Sequence, residues 1–315
     1  MAPDIQHRFA GNPLDRADSQ RRDADWLLQA RQSAQALFLP MQQLKVPLTD
    51  LENGAGADAL AVASAQLQWL TRDELDALTP VGAEPEVCVL LGLANGAPRF
   101  ACAVGEASSN QSLSFTDCRR AAMQLAPAEA GIVAQARAQL DWHARNQFCG
   151  SCGHPSQMAR GGQLRSCERC QGQIFPRTDP VVIMLITHED RCLLGQSAQR
   201  MPKMGIYSAL AGFVDQGESI EEAVRREVFE EAGVTVGPVT YHSSQPWPFP
   251  ASLMIGCHGE ALTSEITIDH REMADVDWFD RGKIRSAFAG NENFKLPGDI
   301  AIAHHLIMHW LAAND

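Results

Sequence analysis

The sequence predicts an α+β protein with two or three domains. The chain has 315 residues, more than one average domain, and its 45% apolar content is enough for sizeable cores. Strand-like apolar runs are also interleaved with helical patterns. The formal net charge of −12 offers no basic surface for phosphates, so general nucleic-acid binding is not expected. The polar N-terminus and the lack of a membrane-length apolar run predict a cytoplasmic protein.

Residues 1–145 are predicted to form an N-terminal domain. The strand-like segments PEVCVLLGLA and RFACAV flank Asn95-Gly96, a combination typical of a β-hairpin. The segment 127–146, PAEAGIVAQARAQLDWHARN, indicates a helix. The stretch GNPLDRAD and the arginines near it could bind phosphate or simply cap a loop, and we prefer the structural interpretation.

Two CxxC pairs predict a structural zinc ribbon over residues 146–176. The pairs, Cys149 with Cys152 and Cys167 with Cys170, are separated by fourteen residues. Four thiolates form a closed tetrahedral Zn²⁺ site with no open position for chemistry. The alternatives are a redox pair, which needs one CxxC in a βαβ context, and disulfides, which a cytosolic protein would not retain. The remaining cysteines, expected to pack as small hydrophobes, are Cys88, Cys102, Cys118, Cys192 and Cys257.

A third domain is predicted over residues 177–315. It opens with a hairpin formed by PVVIMLI and RCLLGQS, contains the strand LMIGCHGEAL, and closes with the helix IAIAHHLIMHWLAA. Between them, Ser219 and Glu222 have capping-box spacing and Gly233 is a natural helix stop. These signals predict a helix over about 220–232.

The helix at 220–232 carries three carboxylates on one face, those of Glu227, Glu230 and Glu231. Like charges this close repel one another unless a hard cation lies among them, and Mg²⁺ or Mn²⁺ suits a site of carboxylates, phosphate and water. The alternative is the solvated acidic face of an amphipathic helix.

A second informative segment is SQPWPFPAS, from Ser244 to Ser252, with three prolines around two aromatic residues. Because proline fixes φ and lacks an N–H donor, we expect a stiff extended loop instead of a paired strand. Trp247 and Phe249 offer flat apolar surfaces that suit a base or a nicotinamide ring. The alternative is a loop that only packs against a sheet.

The segment from Gly212 to Val234 matches Gx5Ex7REUxEExGU at every specified position and so resembles the Nudix box. The following SQPWPFPxS array resembles the NADH pyrophosphatase branch of that family, the NudC type. The resemblance extends through most of the chain. It implies a Nudix α/β/α sandwich preceded by a four-cysteine zinc ribbon and an N-terminal α+β domain. It also implies a homodimer.

The resemblance further implies a catalytic Mg²⁺ or Mn²⁺ site, distinct from the structural Zn²⁺. Its implied metal ligands are the carbonyl of Ala211 and the carboxylates of Glu227, Glu231 and Glu272. Its implied catalytic residues are Glu218, Arg226, Glu227, Glu230 and Glu231. Glu218 and Arg226 are expected to form a supporting ion pair. Without the resemblance, Glu272 would be read as a surface residue.

The same resemblance implies a set of substrate contacts in and around the aromatic array. They are Phe175, Phe213, Gln245, Pro246, Trp247, Pro248, Phe249, Pro250, Ala251, Ser252 and Ala303. Phe213 could instead be a core residue, and Ala303 could serve ordinary helix packing.

The implied reaction is hydrolysis of the pyrophosphate of NAD(H) to nicotinamide mononucleotide and AMP. Removal of the NAD cap from RNA, leaving a 5′-monophosphate, is expected as well, with the RNA held by its NAD end. One alternative is a broader dinucleotide or ADP-ribose pyrophosphatase. Another is a zinc-ribbon binding protein with an inactive Nudix site.

Overall fold

The computed structural model describes residues 7–51, 63–78, 87–105, 113–198 and 205–313. These residues form two compact units. The N-terminal unit comprises the described residues of 8–177 together with Trp247–Ala251, and the C-terminal unit comprises His7 and the described residues of 178–246 and 252–315. Since the predicted zinc ribbon lies within the first unit, the division into 1–145, 146–176 and 177–315 stays a prediction.

The N-terminal unit is built from short sheets and four helices. Its strands are β1 (Leu37–Gln42), β2 (Val46–Asp50), β3 (Ala65–Leu67), β4 (Val87–Ala94), β5 (Ala97–Val104), β6 (Phe115–Thr116), β7 (Gln157–Ala159), β8 (Leu164–Ser166) and β9 (Gln173–Ile174). Its helices are α1 (Ala24–Gln32), α2 (Arg72–Leu78), α3 (Cys118–Gln124) and α4 (Pro127–Arg145). The strands form three sheets with the orders β1-β5-β4, β3-β2-β6 and β7-β8-β9.

Two predicted elements of the N-terminal unit are confirmed. β4 and β5 pair antiparallel around the turn at Asn95 and Gly96, both of which have positive φ. The first two residues of the predicted strand, Pro85 and Glu86, lie outside the described residues. Helix α4 begins with proline at its first turn, where the missing N–H has no intrahelical partner to lose. Its buried face packs against β4 in one hydrophobic core.

The five remaining cysteines are buried, as predicted, but two of them also pair with each other, which was not predicted. Cys88 and Cys102 lie directly opposite each other on β4 and β5, and the structure pairs them as a disulfide. The pairing depends on the register of the two strands, which local sequence does not reveal. Cys118, Cys192 and Cys257 are free and buried, as predicted.

The C-terminal unit is a sheet covered by helices on both faces. Its strands are β10 (Asp179–His188), β11 (Arg191–Ser197), β12 (Leu210–Phe213), β13 (Val236–Trp247), β14 (Ser252–Ala261) and β15 (Met273–Asp280), and its helices are α5 (Ile220–Ala232), α6 (Arg281–Phe288) and α7 (Ile302–Ala312). The sheet order is β13-β14-β10-β11-β15, and β12 also pairs with β10. The predicted hairpin of β10 with β11, the strand β14 and the closing helix α7 are confirmed.

Alternation along β10 shows how the two faces are used. Val182, Met184 and Ile186 pack in the core that contains α5, whereas Ile183 and Leu185 pack in the core that contains α6 and α7. A strand buried on both faces reads as a continuous apolar run, which is what PVVIMLI shows. The layers are therefore helix, sheet and helix, and the predicted sandwich is confirmed.

The prediction that SQPWPFPAS is a loop instead of a strand is wrong at its start. β13 extends through Trp247, and β14 begins at Ser252. β13 lies at one end of the sheet order, and an edge strand can accept Pro246 because one side of β13 makes no ladder hydrogen bonds with the described part of the chain. Only Pro248–Ala251 forms the connection.

Helix α5 has the predicted bounds and ends. The Ser219 hydroxyl accepts a hydrogen bond from the Glu222 N–H, and the Glu222 carboxylate accepts one from the Ser219 N–H. Such a cap contributes about 1 kcal/mol. At the other end Gly233 has a φ of 70°, in the left-handed region that favours glycine. None of the described helices is long and apolar enough to cross a membrane.

Candidate active site

Arg226 lies at the centre of the acidic face of α5. Its Nε and Nη2 donate to the two carboxylate oxygens of Glu218 at 2.6 and 2.8 Å. Its Nη1 donates to Glu227 at 2.8 Å and to Glu230 at 2.9 Å, and Nη2 also donates to the Phe213 carbonyl at 2.9 Å. One guanidinium thus joins the loop before the helix, the end of β12 and two helix carboxylates, with a bidentate geometry that lysine could not supply.

Glu227 is held against the backbone of β12. A Cβ atom built on Gly212 would collide with all three atoms of the Glu227 carboxyl group. Glycine at this position therefore creates the space in which the carboxylate lies. Glu227 and Glu231 are only 8% and 7% exposed, which is unusual for glutamate and indicates acidic groups held inside a site.

The charges of the site shift the pKa values of its carboxyl groups in opposite directions. The hydrogen bonds from Arg226 lower the pKa of Glu218 to about 2, so Glu218 is ionised at neutral pH. Burial raises the pKa of Glu227, the hydrogen bond from Arg226 opposes this, and the nearby charges of Glu230 and Glu272 add to the increase. Excess negative charge around a buried carboxylate favours a bound cation.

Glu272 reaches this region through the turn that follows α5. The Thr267 N–H donates to the carbonyl of Ala232 at 2.8 Å, and the Asp269 N–H donates to the carbonyl of Glu231 at 3.3 Å. The Glu272 N–H in turn donates to the Asp269 carbonyl at 3.1 Å. These backbone contacts fasten the turn to the end of the helix, and the Glu272 side chain itself is exposed.

The donor set fits a hard divalent cation. Carboxylates of Glu227, Glu231 and Glu272 and the carbonyl of Ala211, next to Gly212, are all oxygen ligands. Among the described residues, the ligand atoms of the four ribbon cysteines all lie within 4.8 Å of one another. The carboxylates of Glu227, Glu231 and Glu272 do not form such a close group. Of these three glutamates, Glu227 has part of its charge neutralised by Arg226.

The four predicted cysteines are brought together by the β7-β8-β9 sheet and its turns. Their sulfur atoms all lie within 4.8 Å of one another, with Cys149 3.5 Å from Cys170 and Cys152 3.5 Å from Cys167. The N–H groups of Ser151 and Cys152 lower the pKa of Cys149 to about 6. A thiolate at neutral pH is the form that ligates metal, so the cluster fits a structural metal ion.

The aromatic array packs within the N-terminal unit. The ring of Phe249 contacts two guanidinium groups, with the Cζ of Arg119 at 3.9 Å and that of Arg137 at 4.6 Å from its centroid. Phe9 contacts both Trp247 and Phe249 edge to face. Arg137 also donates a short hydrogen bond to the Pro248 carbonyl. These cation–π and aromatic contacts hold both rings partly buried.

The other predicted substrate contacts differ in exposure. Phe213 and Phe175 are 54% and 60% exposed, whereas Ala303 is buried in the core under α7. Gln245 is fully buried, and its amide donates to the Ile300 carbonyl and accepts from the Ile302 N–H. The remaining residues of the array are Pro246, Pro248, Pro250, Ala251 and Ser252, of which Pro248 is buried and Pro250 is exposed. The substrate role of all these residues stays a prediction.

Two groups of residues were missed by reasoning from the sequence. Arg119 and Arg137 hold Phe249, but nothing near them in the chain indicates an aromatic partner. His242, His258 and His309 form a second cluster of potential metal ligands. They lie on two strands and a helix that are distant in sequence, so no motif spacing could have revealed them.

Two family models match the chain. The NUDIX domain matches residues 176–296, and the NADH pyrophosphatase-like rudimentary NUDIX domain matches residues 35–142. The NAD-capped RNA hydrolase NUDT12 of Macaca fascicularis is 37% identical, over 99% of this chain and 74% of that protein. The chain belongs to the Nudix hydrolase family. The predicted family is thereby confirmed, and Nudix hydrolases require a divalent metal ion.

This Nudix hydrolase is similar to further relatives with related names. The NAD-capped RNA hydrolase NudC of Stutzerimonas stutzeri (strain A1501) is 35% identical over 78% of this chain and 82% of its own length. The mitochondrial NAD(P)H pyrophosphatase NUDT13 of Homo sapiens is 39% identical over 63% of this chain and 59% of its own length.

Proposed function

We propose that this Nudix hydrolase cleaves the pyrophosphate bond of NAD(H), giving nicotinamide mononucleotide and AMP, and removes the NAD cap from RNA to leave a 5′-monophosphate. The observation that carries the proposal is the pair of buried carboxylates on α5, Glu227 and Glu231, of which Glu227 lies against Gly212 and accepts a hydrogen bond from Arg226. The names of the relatives NUDT12, NudC and NUDT13 support NAD(H) and NAD-capped RNA as the substrate class.

The residues proposed to hold Mg²⁺ or Mn²⁺ are Glu227, Glu231, Glu272 and the carbonyl of Ala211. A bound divalent ion supplies charge neutralisation for the phosphate oxygens and lowers the pKa of water. Glu218 and Arg226 are proposed as positioning residues. Their bidentate ion pair connects the loop before α5 to the helix that carries the carboxylates. Loss of that pair would free both the loop and Glu227.

Glu231 is proposed as the proton acceptor, in preference to Glu230. Glu230 accepts a hydrogen bond from Arg226 at 2.9 Å and is largely exposed. Glu231 is buried on the same helix, inside the site, and is one of the proposed metal ligands. Glu230 then contributes charge to the site and helps to hold Arg226.

Recognition of nicotinamide is proposed for the aromatic array and for Phe213. Trp247 and Phe249 lie 5.3 Å apart by their centroids and are fixed by Arg119 and Phe9, so neither ring has to be ordered when a ligand stacks. Phe213 directly follows Gly212 and is exposed. The other array residues, with Phe175 and Ala303, complete the proposed substrate contacts.

Three further features are proposals. The four-cysteine cluster is proposed to hold a structural Zn²⁺, since four thiolates leave no open coordination position. The protein is proposed to act as a homodimer and to be located in the cytoplasm. Sedimentation of the purified protein and imaging of a tagged chain test these two proposals.

The substrate proposal is tested by comparing kcat/KM for NADH, NAD⁺, ADP-ribose and NAD-capped RNA with Mg²⁺ or Mn²⁺. We expect at least ~10-fold preference for the nicotinamide substrates over ADP-ribose, about 1.4 kcal/mol of transition-state binding. Equal kcat/KM for ADP-ribose would contradict nicotinamide recognition. The absence of AMP release at every metal concentration would contradict the activity itself.

The catalytic role of Glu231 is tested with Glu231→Gln. Because the substitution removes a base but keeps the shape of the side chain, we expect unchanged melting and a kcat lower by about two orders of magnitude or more. The matched control is Glu221→Gln, an exposed glutamate in the first turn of the same helix. Near-normal turnover by Glu231→Gln would remove Glu231 from the catalytic set.

A further inference from the structure

Three histidines converge on one face of the C-terminal unit. His242 lies on β13, His258 on β14 and His309 on α7, and one ring nitrogen of each lies within 4.8 Å of those of the other two. The ring centroids are separated by 5.1 Å for His242 and His258, 4.7 Å for His242 and His309, and 5.2 Å for His258 and His309. We call this group the histidine triad.

The histidine triad is separate from the carboxylates of α5. His258 is paired with Leu185 across β14 and β10, and paired residues of neighbouring strands point to the same face of a sheet. Leu185 packs in the core under α7, whereas α5 packs on the other core with Val182 and Met184. The sheet therefore lies between the histidine triad and the Nudix-box helix.

The imidazole nitrogens of the histidine triad are suited to bind a metal ion. His242 is buried and His258 is partly buried. The Nε2 atoms of both residues are buried and have no hydrogen-bond partner among the described residues. Buried polar atoms are normally paired, and a metal ion would satisfy both.

A hydrogen-bonded neighbour can set the tautomer of His242. The Ser243 hydroxyl lies 2.7 Å from Nδ1 of His242 and 2.7 Å from Nε2 of His7. If the hydroxyl donates its one proton to His7, then Nδ1–H of His242 must donate to the hydroxyl. Nε2 of His242 is then the atom with the lone pair. Metal-bound histidines are commonly oriented by such a bond from the second ring nitrogen.

We propose that His242, His258 and His309 bind a Zn²⁺ ion through their imidazole nitrogens. Neutral nitrogen ligands suit Zn²⁺ and exclude Mg²⁺, which requires oxygen. Three protein ligands would leave a fourth tetrahedral position for water, and His309 is the exposed member of the histidine triad. The ion bridges the edge of the sheet to helix α7 and is independent of both the cysteine cluster and the carboxylates.

The proposal is tested by zinc stoichiometry of the full-length protein. The protein is equilibrated with Zn²⁺ in excess Mg²⁺, which occupies oxygen sites, and is desalted before metal analysis. We expect one Zn²⁺ per chain more in the wild type than in His309→Gln, which replaces an exposed ligand and spares the core. The matched control His270→Gln, at an exposed histidine outside the triad, keeps the wild-type content. Equal zinc content in wild type and His309→Gln overturns the proposal.

Co²⁺ substitution gives a second readout that distinguishes the two zinc sites. Thiolate-to-cobalt charge transfer in the near ultraviolet reports the cysteine cluster, and visible ligand-field bands report both sites. We expect His309→Gln and His258→Gln to lose part of the visible absorption while the near-ultraviolet band is unchanged, which shows that the loss is confined to the histidine site. An unchanged far-ultraviolet circular dichroism spectrum and melting temperature show that these variants are folded. Visible spectra of both variants that match the wild type contradict the assignment.

Discussion

The carboxylate of Glu227 occupies the space in which any residue other than glycine at position 212 would place its Cβ atom. This contact explains at the level of single atoms why the glycine and the glutamate occur together, fifteen residues apart. The glycine removes a steric obstacle, Arg226 supplies the charge that holds the carboxylate, and burial raises its pKa. Each of these effects can be altered by one substitution.

Gly212→Ala is expected to displace Glu227 and to lower kcat/KM for NADH by at least ~10-fold. Overpacking of this kind costs about 1–3 kcal/mol of folding free energy, so the melting temperature should fall as well. Steady-state kinetics and thermal unfolding measure the two effects. Gly298→Ala is the control, because a Cβ at that position meets nothing within 4 Å. Full activity of Gly212→Ala would show that the carboxylate does not need this position.

The carboxyl group of Glu129, in α4, is expected to make the free energy of unfolding decrease as pH rises. Burial raises its pKa above the ordinary 4.5, opposed by the hydrogen bond that it accepts from the Leu67 N–H at 3.0 Å. The folded state therefore binds this proton more tightly than the unfolded state does. The stability contributed by protonated Glu129 is present below pH 4.5 and is lost as pH rises through the folded pKa.

Glu129→Gln keeps a side-chain oxygen that can accept the hydrogen bond from the Leu67 N–H. Because glutamine does not ionise, we expect the variant to lack the decrease in stability that ionisation of Glu129 causes as pH rises. The free energy of unfolding of the wild type relative to the variant should fall as pH rises above 4.5, as measured by urea unfolding at several pH values. Glu265→Gln removes the same charge at an exposed position and serves as the control. A difference between wild type and Glu129→Gln that does not change with pH would contradict this account.

At the scale of elements, local signals predicted helix α5 closely and strand β13 poorly. Ser219, Glu222 and Gly233 act within one turn of each helix end, so their effect can be read from adjacent residues. The prolines of SQPWPFPAS, including Pro246, predict a loop instead of a paired strand. Whether a proline is tolerated depends on whether the strand lies at the edge of its sheet, which is a property of topology.

The cysteine cluster is predicted to hold β7, β8 and β9 together through its metal. These strands have only two or three residues each and cannot form a stable sheet without a further constraint. Zinc removal by a chelator, or Cys167→Ser, should lower the melting temperature and increase amide exchange in residues 147–176. Ser151→Ala, at an exposed position between Cys149 and Cys152, is the control. Unchanged melting of zinc-free protein would contradict a structural role for the metal.

At the scale of the whole molecule, the predicted domains follow one another along the chain, whereas the chain of the structure returns once to the N-terminal unit. The five residues Trp247–Ala251 belong to the N-terminal unit although the strands on either side belong to the C-terminal unit. This membership, the pairing of Cys88 with Cys102 and the histidine triad all depend on contacts between distant parts of the chain. Motif spacing predicted the cysteine cluster and the acidic helix, because their residues are close in sequence.

Arg137→Gln tests whether the N-terminal unit fixes the aromatic array. The variant loses the cation–π contact with Phe249 and the charged donor to the Pro248 carbonyl. We expect faster hydrogen exchange in the peptide 245–252 and an unchanged rate in α5. Arg145→Gln, an exposed position on the same helix, is the control. If kcat/KM for NADH also falls, the fixed orientation of the rings contributes to recognition; unchanged exchange would contradict the role of Arg137.

The edge position of β13 has a consequence for behaviour at high concentration. Among the described residues, this twelve-residue strand has a partner on one side alone, and its other side offers a template on which another chain can add a strand and begin to aggregate. Pro238 and Pro246 lie near the two ends of β13, and each removes one backbone donor from that template. Pro246, which does not prevent β13 from pairing within its own sheet, therefore hinders the pairing of β13 with a strand of another molecule.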